Sequence, residues 1–204
     1  MEMIKKHTAE FLFISSLLRL LPVLVVLGCS LSVPRDENLI KNGDFEDVTR
    51  GQLNMWSTEI YGDDVESVRF YVESEGAYSG KHYVTIENIQ PNDAKLLQYV
   101  RVKPETFYRL SCRIKTENVD IMEHGATITI RKLRRNLPDV KETGGEWKYV
   151  EVYGRTKKNQ RHVHVAARFG GYGSLNTGKA SFDDCRMEEI EKLPAGVNVI
   201  KLFR

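Results

Sequence analysis

The chain of 204 residues has few of the side chains that staple small scaffolds: 3 cysteines, 2 tryptophans and 6 prolines. Three cysteines cannot build a disulfide-dense framework, so an ordinary apolar core must hold the fold. Charge of one sign is lacking as well, because 30 Lys and Arg stand against 28 Asp and Glu, a formal net charge of +2. A nearly neutral chain has no broad field to draw in nucleic acid, and no nucleic-acid partner is expected. The one dense basic run, Arg131-Lys132-Leu133-Arg134-Arg135, reads as a strand entering a solvated loop, with contact to an anionic polymer as the alternative. Catalytic signatures are also missing: there is no G-x-S-x-G elbow and no H-E-x-x-H. Gly170-Gly171-Tyr172-Gly173 lacks the spacing and the strand-to-helix setting of a phosphate loop, so a flexible inter-strand loop is expected there. His162 and His164 share one side of a strand, but no acid or cysteine is placed to complete a metal shell around them.

What the sequence does contain begins with a distinct N-terminus. Lys5 and Lys6 precede an apolar stretch from Phe11 to Val33, broken by Arg19, Pro22 and a few serines. Its uninterrupted part, Leu20 to Leu27, is short for a bilayer and suits the core of an export signal. Val26-Leu27-Gly28-Cys29 is similar to a bacterial lipobox, which makes Cys29 a candidate for lipidation; an uncleaved anchor and plain cleavage are the alternatives. Residues 1–33 are therefore read as a signal peptide or membrane anchor, and all three versions place the rest of the chain outside the cytoplasm. Cys112 and Cys185 then remain, both at inward strand positions, and buried free thiols are expected in preference to a disulfide.

After a polar linker at Val33-Pro34-Arg35-Asp36-Glu37, apolar residues recur with period two. Strands are expected over Ser67–Ser74, then through His82, Val84 and Ile86, and over Leu96–Val102 and Phe107–Lys115. Further strands are expected over Ala126–Ile130, Trp147–Tyr153, His162–Phe169 and Ser181–Met187. Pro91-Asn92-Asp93 reads as a turn. Tyr108, Leu110, Cys112 and Ile114 form one inward set. No stretch shows sustained three-to-four periodicity with caps, so helix should be scarce. About nine short strands without strand–helix alternation mean an all-β sandwich or barrel. Residues 34–192 are assigned to this domain, expected to be monomeric, and residues 193–204 to a tail that breaks away at Leu193-Pro194 and reads as the start of a further region.

Two motifs sit at the ends of the domain: Asn42-Gly43-Asp44-Phe45-Glu46 and Thr177-Gly178-Lys179-Ala180-Ser181-Phe182-Asp183-Asp184. Each puts carboxylates beside an aromatic residue, which suggests that the first and last strands meet and share a cation. A hard cation with oxygen ligands, such as Ca2+, is the natural candidate. By alternation Asp183 shares the inward face with Cys185 and Met187, where an unpaired carboxylate would be costly. Pairing with a lysine, or with backbone amides, is the alternative for Glu46 and Asp183.

Asn38-Leu39-Ile40-Lys41-Asn42-Gly43-Asp44-Phe45-Glu46, Trp56, Ala77-Tyr78-Ser79-Gly80-Lys81, Tyr108-Arg109-Leu110-Ser111, Glu146-Trp147 and Phe182-Asp183-Asp184 occur in the order found in a known group. Together they resemble the jelly-roll carbohydrate-binding modules of families four, nine and twenty-two, within the galactose-binding-like folds. The resemblance covers roughly residues 38–191. Pro91-Asn92-Asp93-Ala94-Lys95 and Gly170 to Gly178 further resemble extracytoplasmic modules attached to bacterial membrane glycosyltransferases. The resemblance implies a jelly-roll β-sandwich of two antiparallel sheets. It also implies a structural calcium held by Glu46, by main-chain oxygens of Ser79 to Lys81, and by Asp183.

The function implied is non-catalytic binding of a glycan or polysaccharide, accessory to a cell-envelope glycosyltransferase or hydrolase. A structural or protein-contact domain without glycan binding is the alternative. Glu87 and Glu151 both face outward as a possible glycosidase-like pair, but the acids with motif support are explained by the cation, and the chain is not expected to be an enzyme. The outward set is read as Tyr83, Thr85, Glu87, Gln98, Arg109, Arg113, His162, His164 and Arg168. Arg113 and Arg168 can present paired donors to vicinal hydroxyls or a carboxylate, and Tyr83 or Tyr172 can stack on a sugar. A binding face is thus expected from Tyr83, Gln98, Arg113, His164, Arg168 and Tyr172. One departure from the family stands out: Trp147 reads as core and Trp56 as sandwich edge, leaving no outward row of tryptophans. That leaves weak or acidic glycan binding, or a disused face.

Overall fold

The computed structural model describes residues 37–201, apart from 132, 134–136 and 198. The expected signal or anchor, Cys29 and most of the basic run therefore lie outside the described residues. The chain divides into two units, of which Asp36–Arg204 is the one described.

The strands are β1 (Val48–Thr49), β2 (Gln52–Leu53), β3 (Ser57–Glu59), β4 (Val68–Glu73), β5 (Tyr83–Asn92) and β6 (Ala94–Arg101). They continue as β7 (Phe107–Glu117), β8 (Ala126–Ile130), β9 (Lys148–Arg155), β10 (His162–Phe169), β11 (Asn176–Ile190) and β12 (Val199–Lys201). A 3-10 turn, Val65–Ser67, starts on Asp64, whose carboxylate accepts from the Glu66 amide. One sheet has the order β3-β6-β10-β8 and the other β12-β9-β7-β11-β5-β4; β1 and β2 pair separately. All pairs are antiparallel except β12 with β9.

The period-two pattern explains the layering. On β7, Tyr108, Leu110, Cys112 and Ile114 are fully buried, while Arg109 and Arg113 between them reach solvent in part. They meet Ile128, Val165, Ala167 and Phe169 from the four-stranded sheet in one apolar cluster. Each large aliphatic or aromatic side chain so buried contributes about 1.5–3 kcal/mol.

Four expectations need correction. Pro91 does not turn the chain, because β5 runs through it to Asn92. It is tolerated there because β4 pairing with β5 ends at Asn88 and the β11 register shifts opposite it, so no ladder bond needs its missing N–H. The tail does not break away: Val199–Lys201 adds a parallel edge strand, and Ile200 joins the core at 7% exposure. Cys112 and Cys185 are not free thiols but a disulfide that ties β7 to β11. Trp147 is absent from the core cluster and lies on the outer side of the six-stranded sheet, beside Tyr83.

Candidate functional site

The first described segment runs along the last long strand. The Leu39 amide donates to the Met187 carbonyl (2.8 Å) and the Cys185 amide to the Gly43 carbonyl (2.8 Å). Asn38 bridges both sides, donating to the Cys185 carbonyl and accepting from the Met187 amide, each at 3.0 Å. Gly43 is required because a Cβ there would drive into the Cys185 carbonyl. Asn42 sits at φ 51 and its side chain holds Asp47 and Asn54, while its carbonyl accepts from the Trp56 indole at 2.9 Å. The Asn42–Glu46 motif is thus a corner that locks onto β11.

The turn before β5 bridges that corner to Asp183, as expected. The contacts are made by amides. Asp183 Oδ2 accepts from the Tyr78 and Ser79 amides at 2.8 and 2.9 Å, and Oδ1 from the Asp184 amide at 2.7 Å. Glu46 Oε1 accepts from the Lys81 and His82 amides at 2.6 and 2.8 Å, and Oε2 meets His82 Nδ1 at 3.2 Å. Gly80, at φ +61, has no Cβ to block Glu46. Burial pushes the Asp183 carboxyl up, with the Ser79, Asp184 and Tyr78 amides offsetting part of the shift. Burial would also raise Glu46, but the His82 and Lys81 amides outweigh it and hold that carboxyl below its ordinary value. In this arrangement both carboxylates accept N–H donors, and no group of three or more His, Cys, Asp or Glu suited to a metal occurs among the described residues.

Asp183 also sits on a different side from the one alternation gives. Asp183 opposes Arg113 and Arg186 opposes Ser111, so β11 spends one residue more than β7 over this interval. Asp184, at φ 45, lies in that bulge. Cys185 and Met187 face the core, whereas Asp183 opposes the outward Arg113 and is buried under the Tyr78–Ser79 turn.

That outer face of the six-stranded sheet carries an aromatic array. The Arg113 guanidinium carbon lies 4.3 Å from the Tyr78 ring centroid and 4.8 Å from that of Tyr149. Lys115 Nζ lies 4.2 Å from the Tyr83 ring and 4.7 Å from that of Trp147. Tyr83 and Trp147 meet edge to face at 5.3 Å, and the Trp147 indole donates to the Gly76 carbonyl at 3.1 Å. Tyr78 and Tyr149 keep 44% and 45% of their surface exposed. Burial pushes the Tyr149 phenol up. Arg109, four residues earlier on β7, is paired instead, donating to Glu188 Oε2 from Nε at 3.0 Å and from Nη2 at 2.5 Å.

The other expected residues lie elsewhere. His164 and Arg168 are on β10, on the outer side of the four-stranded sheet, with the core between them and Arg113. The expected single face around Arg113, His164 and Arg168 is therefore split between two surfaces. Arg168 forms a two-pronged pair with Asp93, 2.7 Å for each bond, and Lys95 adds a contact to Asp93 at 3.0 Å. Arg131 and Lys95 both pair with Glu59. Gln98 points to the inner side and pairs with the backbone of Lys41, donating to its carbonyl and accepting from its amide at 2.7 Å each. His164 meets the exposed Tyr99 edge to face at 5.5 Å, and His162 stacks on the same ring at 5.0 Å. Tyr172 is exposed beside a cleft of about 110 Å³ that Arg168 and His124 also line. Tyr83 does lie with Arg113, although it is only 6% exposed.

Tyr78, Lys115, Trp147 and Tyr149 are the members of this face that sequence reasoning missed. The Tyr149-Val150-Glu151-Val152-Tyr153 alternation was the available signal: Val150 and Val152 are core, so both tyrosines must face out. The fold is that of carbohydrate-binding jelly rolls. It is similar to the module TmCBM61, solved with β-1,4-galactotriose, at 23% identity and a TM-score of 0.50, covering 76% of this chain and 99% of that one. A protein from Bacteroides thetaiotaomicron described as sugar-binding matches at 16% identity and a TM-score of 0.52, over 76% of this chain and 100% of that one. The arabinose-bound α-L-arabinofuranosidase MgGH51 matches at 11% identity and 0.53, over 76% of this chain and 26% of its own length. No protein-family model matches the chain, and no curated protein matches it in sequence.

Proposed function

We propose that the domain is a non-catalytic glycan-binding module that meets its sugar on the outer face of the six-stranded sheet. The observation that carries this reading is the Tyr78–Arg113–Tyr149 stack, which sets half-exposed rings beside a guanidinium. A pyranose offers one apolar face to such rings and a rim of hydroxyls to such donors. Two proteins of the same fold support it, one solved with a galactotriose and one described as sugar-binding. The test is affinity of the full-length protein for a panel of polysaccharides, starting with β-1,4-galactan. Tyr149→Ala and Arg113→Ala are each expected to weaken binding about tenfold or more, with Tyr99→Ala on the opposite face neutral. The reverse pattern rejects this face, and a blank panel rejects glycan binding in favour of a protein-contact domain.

The same proposal places the domain outside the cytoplasm, tethered through residues 1–33 and accessory to a cell-envelope glycosyltransferase or hydrolase. The Cys112–Cys185 disulfide supports an oxidising compartment. Among the described residues no helix is long and apolar enough to cross a membrane. Incorporation of labelled fatty acid, abolished by Cys29→Ala, tests the lipid anchor. Calcium at the Glu46–Asp183 junction would have to displace the amides that now fill it. A chelator that lowers Tm by several degrees would establish such an ion; an unchanged Tm leaves the amides as the whole of the junction.

A further inference from the structure

We infer that the Arg113–Lys115 row selects an acidic saccharide, one whose carboxylate or sulfate group lies against these two cations while its ring packs on Tyr149 or Tyr78. The inference rests on the glycan-binding reading and names its ligand class.

The argument starts from where the cations of the domain find their counter-charges. Arg109 has Glu188, Arg168 and Lys95 have Asp93, Arg131 has Glu59, and Lys103 has Glu189. Arg113 and Lys115 differ from these residues and, like Arg155 over Phe107, lie against aromatic rings. Among the described residues neither forms an ion pair, and the partners of both are aromatic rings. The acid directly across from Arg113 is Asp183, whose oxygens are taken by the Tyr78, Ser79 and Asp184 amides. Glu151, diagonally across on β9, lies between the Tyr149 and Tyr153 phenols.

The geometry of Arg113 leaves one direction for a ligand. The Tyr78 and Tyr149 rings both lie against the guanidinium, which leaves its N–H edge, the part that grips a carboxylate in a fork, for a ligand. The Arg113 Nε is withdrawn from water and has no hydrogen-bond partner, an unfavourable state for a charged donor. Lys115 is only 9% exposed, so its ammonium has limited access to bulk water. The two residues are two positions apart on one strand, about 7 Å along it. That spacing lets one cation meet the anionic group of a sugar ring while the other meets hydroxyls of the same or the next ring. A neutral glycan would satisfy the rings but leave both positive charges uncompensated in a partly dry site.

The experiment compares three matched polymers on the full-length protein: neutral β-1,4-galactan, polygalacturonate and a sulfated galactan. Tighter binding of either acidic polymer, by about tenfold or more over the neutral one and weakening with added salt, is the expected result, and the better of the two identifies the anionic group. Lys115→Met and Arg113→Gln, each of which removes one charge, should then weaken binding of the acidic polymer by a larger factor than binding of the neutral one, so that the acidic preference shrinks, with Tm near wild type. Equal or tighter binding of the neutral polymer overturns the acidic assignment and leaves the glycan-binding reading standing. Binding of none of the three overturns both. An acidic preference unchanged in Lys115→Met and Arg113→Gln also overturns the assignment, because the charge that matters then lies elsewhere.

Discussion

The two outer faces of the sandwich use similar side chains to opposite ends. On the four-stranded sheet Lys95, Arg131 and Arg168 are each paired with Glu59 or Asp93 in one connected network, and Arg168 and Asp93 are nearly sealed from water. On the six-stranded sheet Arg113 and Lys115 face tyrosine and tryptophan rings and, among the described residues, pair with no acid. A cation–π contact is worth about 0.5–2 kcal/mol and leaves the guanidinium edge open, whereas a two-pronged carboxylate pair consumes that edge. The first face spends its charges on stability; the second keeps them available. The residue type alone therefore says little about binding, and the identity of the partner decides it.

The largest expected effect comes from breaking the connected network. Asp93→Ala strands Arg168 in a buried setting and leaves Lys95 only Glu59; it should cost about 3–5 kcal/mol in denaturant unfolding, with glycan affinity of the folded protein unchanged. A loss below 1 kcal/mol would erase the contrast between the faces. Next, replacing Cys112 and Cys185 together by Ala should cost about 2–4 kcal/mol, read as a lower Tm. It should also loosen binding slightly, because the bridge ties the strand that carries Arg113 to β11. Gly80→Ala comes third, at about 1–2 kcal/mol, since the backbone there is left-handed and a Cβ would press on Glu46.

The smallest effect is a pH dependence. Glu46 and Glu59 are both held below the ordinary value of 4.5. Burial opposes this in each, but amides outweigh it for Glu46, and Arg131 and Lys95 outweigh it for Glu59. Their contribution is present above that value and is lost as pH falls through the lowered one. Asp183, raised by burial, works in the opposite sense over the same acidic range. Glu46→Gln should accordingly flatten the acid limb of a Tm–pH curve, and an unaltered limb would remove Glu46 from the account.

Much of this architecture was legible in the sequence because two-residue periodicity is a local property. The expected strands over Ala126–Ile130 and His162–Phe169 match β8 and β10 residue for residue. The meeting of the Asn42–Glu46 corner with β11 was legible too, from the carboxylates that both motifs set beside an aromatic residue; in the fold, Gly43 and Asn42 serve backbone geometry that few other residues tolerate. What local periodicity does not carry is the assignment of strands to sheets. Arg113 and Arg168 both read as outward, and only the sheet orders place them on opposite surfaces. Nor does it reveal a ligand's chemistry: an acid beside a turn attracts a cation or backbone amides equally well on paper, and at Asp183 the amides are what the turn presents.

The surplus residue at Asp184 has a consequence for how this strand tolerates change. It acts as a phase shifter: on its N-terminal side odd-numbered positions look outward, and on its C-terminal side odd-numbered positions look inward. Removing it would rotate everything from Cys185 to Ile190 by half a turn, exposing the sulfur and Met187 and driving Glu188 toward the interior. A single deletion here should therefore be far more damaging than a longer one in the exposed segment around Met122, even though no ligand-facing atom would be lost.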